Sequence, residues 1–147
     1  MYDIGLAIPA DAGTIADISK KCFSSPWDEK SVAGDIASDH AIVLSAGTSG
    51  RIVGYAICYL GGDQADLVSI AVLPEHRRGG LGHELLKELE KECAAGRIES
   101  VFLEVRISNE AAIGLYENNG FDRIGVRKAY YNDTGEDAIL MRKDIHA

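Results

Sequence analysis

The stretch from Leu67 to Leu86 constrains the fold most, because the spacing of its apolar residues changes partway along. A β-branched run, Val68-Ser69-Ile70-Ala71-Val72, passes through Leu73-Pro74-Glu75-His76 into Arg77-Arg78-Gly79-Gly80-Leu81-Gly82 and then into helical spacing. The pattern predicts a strand, a turn and a glycine-rich helix start. Glycine admits positive φ and close backbone approach, and the first turn of a helix leaves N–H groups pointing outward at the positive end of its dipole. Such a place binds anions, most often phosphate.

Glycine spacing separates the phosphate-binding motifs. A Walker loop needs Lys and then Ser or Thr after its last glycine, where this chain has His83 and Glu84. The dinucleotide fingerprint comes closer, since Gly80-Leu81-Gly82 supplies G-x-G and Glu104 could stand as the ribose carboxylate. Leu85 in the third glycine position and the long turn over Pro74 to Arg78 argue against it. The spacing that fits is Q/R-x-x-G-x-G/A, running from Arg77 to Gly82. Taken alone, the same residues also suit a glycine-rich surface turn with Arg77 and Arg78 solvated.

With 147 residues, 46% of them hydrophobic, the chain has the size of one domain, 1–147, and can bury a core. A net charge of -8 argues against nucleic-acid binding, which leaves a basic footprint, and suits a cationic partner. Cys22, Cys58 and Cys93 are odd in number and widely spaced, which argues against a disulfide framework and a zinc site and predicts reduced thiols in a cytoplasmic protein; no metal is expected. The N-terminus lacks a basic region followed by an apolar run, and no stretch reaches membrane-spanning length, so no signal or membrane segment is expected.

In chain order, Ile4 to Ile8 alternates as a strand ended by Pro9, and Asp11 is placed to cap a helix with Ile15, Ile18 and Cys22 on one face. Pro26 and Trp27 interrupt it, and Asp28 starts a second helix to about Ser38 with Val32, Ile36 and Ala37 inward. Ala41 to Ala46 and Arg51 to Leu60 form a hairpin around Gly47-Thr48-Ser49-Gly50. Leu81, Leu85, Leu86 and Leu89 make the inward stripe of a helix ending near Gly96, whose opposite, charged face reads as solvated. Ser100 to Arg106 is a strand and Asn109 to Asn118 a helix. Phe121 opens a strand continuing to about Tyr131, and Asp137 to Arg142 is the last. The whole predicts an α/β (α+β) domain.

Two residues stand out chemically. Glu104 lies mid-strand among apolar residues, where burial raises a carboxyl pKa and suits a general base. Spacing alone favours instead an ion pair with Arg106 on the same strand face. Tyr116 reads as a core tyrosine or as a phenol able to protonate a leaving group. Trp27, the only Trp, reads more readily as a packed anchor than as a substrate contact.

The run Leu103-Glu104-Val105-Arg106-Ile107-Ser108-Asn109-Glu110-Ala111-Ala112-Ile113-Gly114-Leu115-Tyr116-Glu117-Asn118-Asn119-Gly120-Phe121 resembles the L-E-V-R-x-S-N-x-x-A-x-x-L-Y-x-x-x-G-F signature of the protein N-terminal acetyltransferases. These are GCN5-related N-acetyltransferases, whose coenzyme loop the Arg77 to Gly82 spacing also resembles. Pro26-Trp27-Asp28-Glu29-Lys30 and Arg127-Lys128-Ala129-Tyr130-Tyr131 support the likeness, which covers nearly the whole chain. It implies a mixed, mostly antiparallel sheet of about seven strands with about four helices. It implies acetyl-coenzyme A as co-substrate, with Glu104 as base and Tyr116 as acid. Ile70, Ala71 and Val72 would pair with the pantetheine arm, which Asn109 would also bond. Arg77, Arg78, Gly79, Gly80, Leu81, Gly82 and His83 would hold the pyrophosphate, and backbone N–H near Val72 would stabilise the oxyanion. Trp27, Tyr130 and Tyr131 are candidate substrate-binding residues, the last two reading alternatively as a cross-strand aromatic pair. Cys58 has no adjacent base, which disfavours an acyl-cysteine. The implied acceptor is a protein N-terminus, such as the N-terminal alanine of a basic ribosomal protein. A small amine, a lysine, or a non-catalytic coenzyme sensor remain as alternatives. Arg77 stands where Gln is commoner, and Ser25 precedes Pro26 where an aromatic is often found.

Overall fold

The computed structural model describes residues 2–145; Met1, His146 and Ala147, which the expected domain includes, lie outside the described residues. The elements follow the expected order: β1 (Asp3–Leu6), α1 (Ala12–Cys22), α2 (Glu29–Ala37), β2 (Ala41–Thr48), β3 (Arg51–Gly61), β4 (Gln64–Val72), α3 (Leu81–Ala95), β5 (Ser100–Arg106), α4 (Glu110–Asn118), β6 (Asp122–Arg127) and β7 (Ala138–Asp144). The strands form one seven-stranded sheet in the order β1-β2-β3-β4-β5-β7-β6. Every pairing is antiparallel except β4 with β5.

Apolar spacing explains how the helices dock. Ile15 and Ile18 bury the inner stripe of α1, and Leu81, Leu85, Leu86, Leu89 and Cys93 bury that of α3. Fully burying one such Leu or Ile side chain contributes roughly 1.5–3 kcal/mol. α1 and α2 pack on each other and on β2 to β4, while α3 lies across β1 to β4. Asp28 caps α2 as expected, its carboxylate accepting from the Ser31 N–H at 2.7 Å.

Several boundaries differ from expectation. β1 stops at Leu6, because Pro9 begins a 3-10 turn ahead of α1. Asp11 stands at the α1 N-cap but makes no cap bond; its carboxylate turns back to the Ile8 N–H at 2.9 Å. Ala37, expected inward, is exposed at the last turn of α2. The β2–β3 turn is tighter than the sequence suggests: only Ser49 and Gly50 lie outside the strands, with consecutive φ of 52 and 77. That is the geometry favoured by two-residue hairpins. β6 ends at Arg127, not near Tyr131, since Ala129 adopts φ 50 and turns the chain out of the ladder.

The organising feature is where the sheet opens. β4 pairs with β3 along its length, but with β5 only through Gln64–Ser100, Ala65–Val101 and Asp66–Phe102. Opposite β3 the register slips, Ile57 facing Ser69 and Cys58 facing Leu67, so Val68 is an extra residue in β4. A bulge of this kind bends its strand and increases its twist. Beyond it β4 and β5 diverge and leave a wedge between their C-terminal ends.

Candidate active site

The wedge holds two cavities. The first, of about 380 Å³, has walls from the α1–α2 segment, β4, β5 and the β6–β7 loop. The second, of about 520 Å³, lies between β4, the start of α3 and the start of α4. Phe23, Ile70 and Tyr116 line both, so the cavities meet at those three side chains.

The second cavity gathers the predicted coenzyme residues. Ile70, Ala71 and Val72 line it from the strand, Arg77, Arg78, Gly80, Leu81, Gly82 and His83 from the loop, and Asn109 from the opposite side. Gly79 does not line it, and faces the Tyr2 hydroxyl. The Leu73 N–H bonds to the Val53 carbonyl at 2.8 Å, so Leu73 faces β3. Alternation then turns the backbone groups of Val72 and Ile70 into the wedge, as an open strand edge.

The loop builds its concavity from backbone. Arg78 and Gly80 have φ of 69 and 81, placing left-handed residues on either side of Gly79. Alternating backbone of this kind turns successive N–H groups toward one point and makes an anion-binding nest. Glu84 N–H makes the first bond into α3, to the Gly80 carbonyl at 3.0 Å, which leaves the preceding N–H groups aimed out of the helix end. Gly82 serves packing as well, because a Cβ there would lie 3.0 Å from Leu115 Cδ2 on α4. Asn109 is partly committed: its Oδ1 accepts from the Ala112 N–H at 3.2 Å and caps α4.

Arg77 is not simply solvated. Its Nε donates to the Val72 carbonyl at 2.9 Å and its Nη2 approaches Cys22 Sγ at 3.5 Å, tying the loop to the strand end and to α1. Cys22, absent from the predicted site, lines this cavity. Its only sequence signal is its place at the end of α1. Cys58 is buried in β3, and its neighbour Cys93 together with burial pushes its thiol pKa up, the state of an inert cysteine.

Glu104, Tyr116, Trp27, Tyr130 and Tyr131 all line the first cavity. The Glu104 side chain is half-buried, 26% exposed, because the strand beside it has splayed away. The expected ion pair with Arg106 does not form. Arg106 turns to Asp133, bonding both carboxylate oxygens at 2.9 and 2.8 Å, a fork geometry that one residue on the same strand face does not offer. Glu104 instead faces Tyr130, whose hydroxyl pKa its carboxylate raises, and Arg127 Nε lies 3.9 Å from its Oε1.

Tyr116 on α4 is buried, packs edge-on against Phe121 at 5.8 Å between centroids, and has its hydroxyl pKa pushed well up by burial. Trp27 combines both of its readings. It is anchored by Nε1 donating to Asp35 at 3.1 Å and by its backbone N–H donating to the buried Ser19 hydroxyl at 2.9 Å, and it also forms cavity wall. Tyr130 and Tyr131 are not a cross-strand pair: they lie in the β6–β7 loop, edge to face at 5.1 Å.

The sheet thus splits beside a glycine-rich helix start, with a carboxylate and a phenol on the walls of the split. A model of the acetyltransferase (GNAT) family matches residues 13–121, and the chain belongs to that family. Among its relatives is the N-alpha-acetyltransferase RimI of Mycobacterium tuberculosis, 37% identical with 96% of this chain and 91% of that protein covered. An uncharacterized protein of Mycobacterium leprae is also 37% identical, and there the chain spans only 40% of the relative's length. The crystal structure of the ribosomal-protein-S18-alanine N-acetyltransferase from Escherichia coli superposes with a TM-score of 0.90 at 34% identity, covering 100% of this chain and 96% of that one. Among the described residues, no helix is long and apolar enough to cross a membrane.

Proposed function

We propose that the chain, acting as a single domain, transfers acetyl from acetyl-coenzyme A to the α-amine of a protein N-terminus, with the N-terminal alanine of a ribosomal protein of the bS18 kind as acceptor. The observation that carries this is the junction at Tyr116 and Ile70, where a cavity holding a carboxylate meets one with an anion nest at its far end. The nest and strand edge fit the donor: N–H groups from Arg78 to His83 suit a pyrophosphate, and the Ile70 and Val72 edge suits an amide-bearing arm. When bound, the donor supplies an activated thioester carbonyl.

Glu104 takes the proton from the acceptor's ammonium group, directly or through one water, and Tyr116 gives its proton to the departing thiolate. A buried tyrosine that keeps its proton at neutral pH suits the second role. Backbone N–H at the wedge-facing edge near Val72 stabilises developing negative charge on the carbonyl oxygen. The N-alpha activity named for the M. tuberculosis relative and the ribosomal-protein-S18 alanine named for the E. coli one, together with the aromatic wall of Trp27, Tyr130 and Tyr131, support a peptide acceptor. The net charge of -8 favours encounter with a basic one.

The test is intact-mass detection of acetylation on a peptide beginning Ala-Arg-Tyr, beside an N-terminally blocked peptide containing lysine. Acetylation of only the free N-terminus is expected. Acetylation of the blocked peptide would move the acceptor to lysine, and coenzyme binding with neither peptide modified would favour a small amine or a sensor. Glu104→Gln should lower turnover about 10²- to 10⁴-fold with the KM for acetyl-coenzyme A nearly unchanged.

A further inference from the structure

Arg106 has no part in the chemistry above, yet it is bonded across the wall of the acceptor cavity. Its Nη1 donates to Asp133 Oδ1 at 2.9 Å and to Thr134 Oγ1 at 3.2 Å, and its Nη2 donates to Asp133 Oδ2 at 2.8 Å. Its guanidinium carbon stands 4.0 Å from the Tyr131 ring centroid, and Glu136 Oε1 lies 3.6 Å from Nη1. Across the cavity mouth, Ser24 of the α1–α2 segment donates its hydroxyl to the same Asp133 at 3.1 Å.

The β6–β7 loop is closed on itself. Asp137 accepts from the Ala129 N–H at 2.9 Å and from Lys128 at 3.1 Å, and the Gly135 N–H donates to the Tyr131 carbonyl at 2.8 Å. Such a loop moves as a unit. Its root is fixed to the end of β5 by the Ile107 N–H on the Asp137 carbonyl at 3.1 Å and the Ser108 N–H on Glu136 at 3.1 Å. Its tip, with both tyrosines, is reached from the sheet by Arg106. Because Arg106 is on β5 two residues after Glu104, the tip and Glu104 are referred to one rigid strand.

We propose that Arg106 is a positioning residue for the acceptor: its guanidinium fork sets the Asp133 tip against Ser24 and holds Tyr131, and through it Tyr130, beside Glu104. The inference rests on the reading of this cavity as the acceptor site. Fork geometry makes Arg specific here, since lysine offers a point charge without a planar face to lie on Tyr131 or a second parallel donor to Asp133.

The test compares Arg106→Met and Arg106→Lys with the unaltered protein, first varying the Ala-Arg-Tyr peptide at saturating acetyl-coenzyme A, then the reverse. Thermal melts establish that each variant folds. Arg106→Met should raise the peptide KM about 10-fold or more, the scale of losing charge-assisted hydrogen bonds, with kcat within about threefold and the donor KM unchanged. Arg106→Lys should recover part of the loss. Adding Ser24→Ala to Arg106→Met should change little, because the contact it removes already depends on the fork. An unchanged peptide KM, or peptide and donor KM rising together, overturns the proposal. Ring-carbon NMR of labelled tyrosines gives a readout independent of turnover: the Tyr130 and Tyr131 signals should shift in Arg106→Met while that of buried Tyr55 stays in place. If the unaltered protein acetylates no peptide, the acceptor reading fails. The NMR then decides the positioning role by itself, and unmoved Tyr130 and Tyr131 signals reject it.

Discussion

The Glu104 carboxylate raises the pKa of the Tyr130 hydroxyl across the first cavity, relating a loop tyrosine to a residue in the middle of β5. That carboxylate, ahead of burial, is the largest cause of the tyrosine's raised pKa. Both side chains line the first cavity, where on the proposed function an incoming amine meets the carboxylate. Tyr130→Phe keeps the ring and removes the hydroxyl beside the carboxylate. We expect kcat/KM for the peptide to fall by about 10-fold, the scale of one polar contact to a charged group, with the donor KM unchanged in steady-state assays.

Tyr116→Phe separates chemistry from packing. The Phe ring retains the edge-on contact with Phe121, so the melting temperature should move little, while kcat should fall by about 10²-fold if the hydroxyl gives a proton to the leaving thiolate. A variant with full turnover would remove Tyr116 from the acid role.

Gly80→Ala tests the nest. With φ at 81, an added Cβ in the left-handed region costs roughly 1–2 kcal/mol, and the loop relieves it only by turning its N–H groups away. The KM for acetyl-coenzyme A should rise while the peptide KM holds, measured by varying each substrate in turn.

Alkaline pH should loosen the aromatic wall. Burial, the largest cause, pushes the Tyr131 hydroxyl up to about 12 from an ordinary value of 10.0. Between those values the unfolded chain loses a proton that the folded chain keeps, so this group's contribution to stability is present below pH 10 and is lost as pH rises toward 12. Denaturant unfolding across that window should show a decline in stability that is shallower in Tyr131→Phe.

Much of the fold is legible because local signals agree with tertiary demands. Ser100 to Arg106 and Glu110 to Asn118 carry clean strand and helix spacing, and the nest is written in its glycines. Position in the wedge follows: once β4, α3 and α4 are placed, nine of the ten predicted coenzyme contacts besides Gly79 need no further information, and the tenth, Asn109, is placed by its cap. What the sequence hides are partners distant along the chain. Arg106 prefers Asp133 over its neighbour Glu104, a choice settled by loop closure and fork geometry and not by spacing. The extra residue at Val68 is equally silent, since a bulge leaves the β-branched pattern intact. Ala129 gives no sign of its positive φ, so the spacing predicts a strand running on through the tyrosines that the turn in fact lifts into the cavity.

The split between β4 and β5 has a thermodynamic corollary. The β4–β5 ladder holds three residue pairs, and the open edge beyond them has room for one more strand. A donor whose amide-bearing arm lies along Ile70 and Val72 would occupy that place and bridge the halves. Donor binding and sheet cohesion would then be one equilibrium, worth about 2.7 kcal/mol of added stability at a donor concentration of 100 times Kd. Resistance to unfolding would thereby follow the donor supply, with the wedge serving as the gauge.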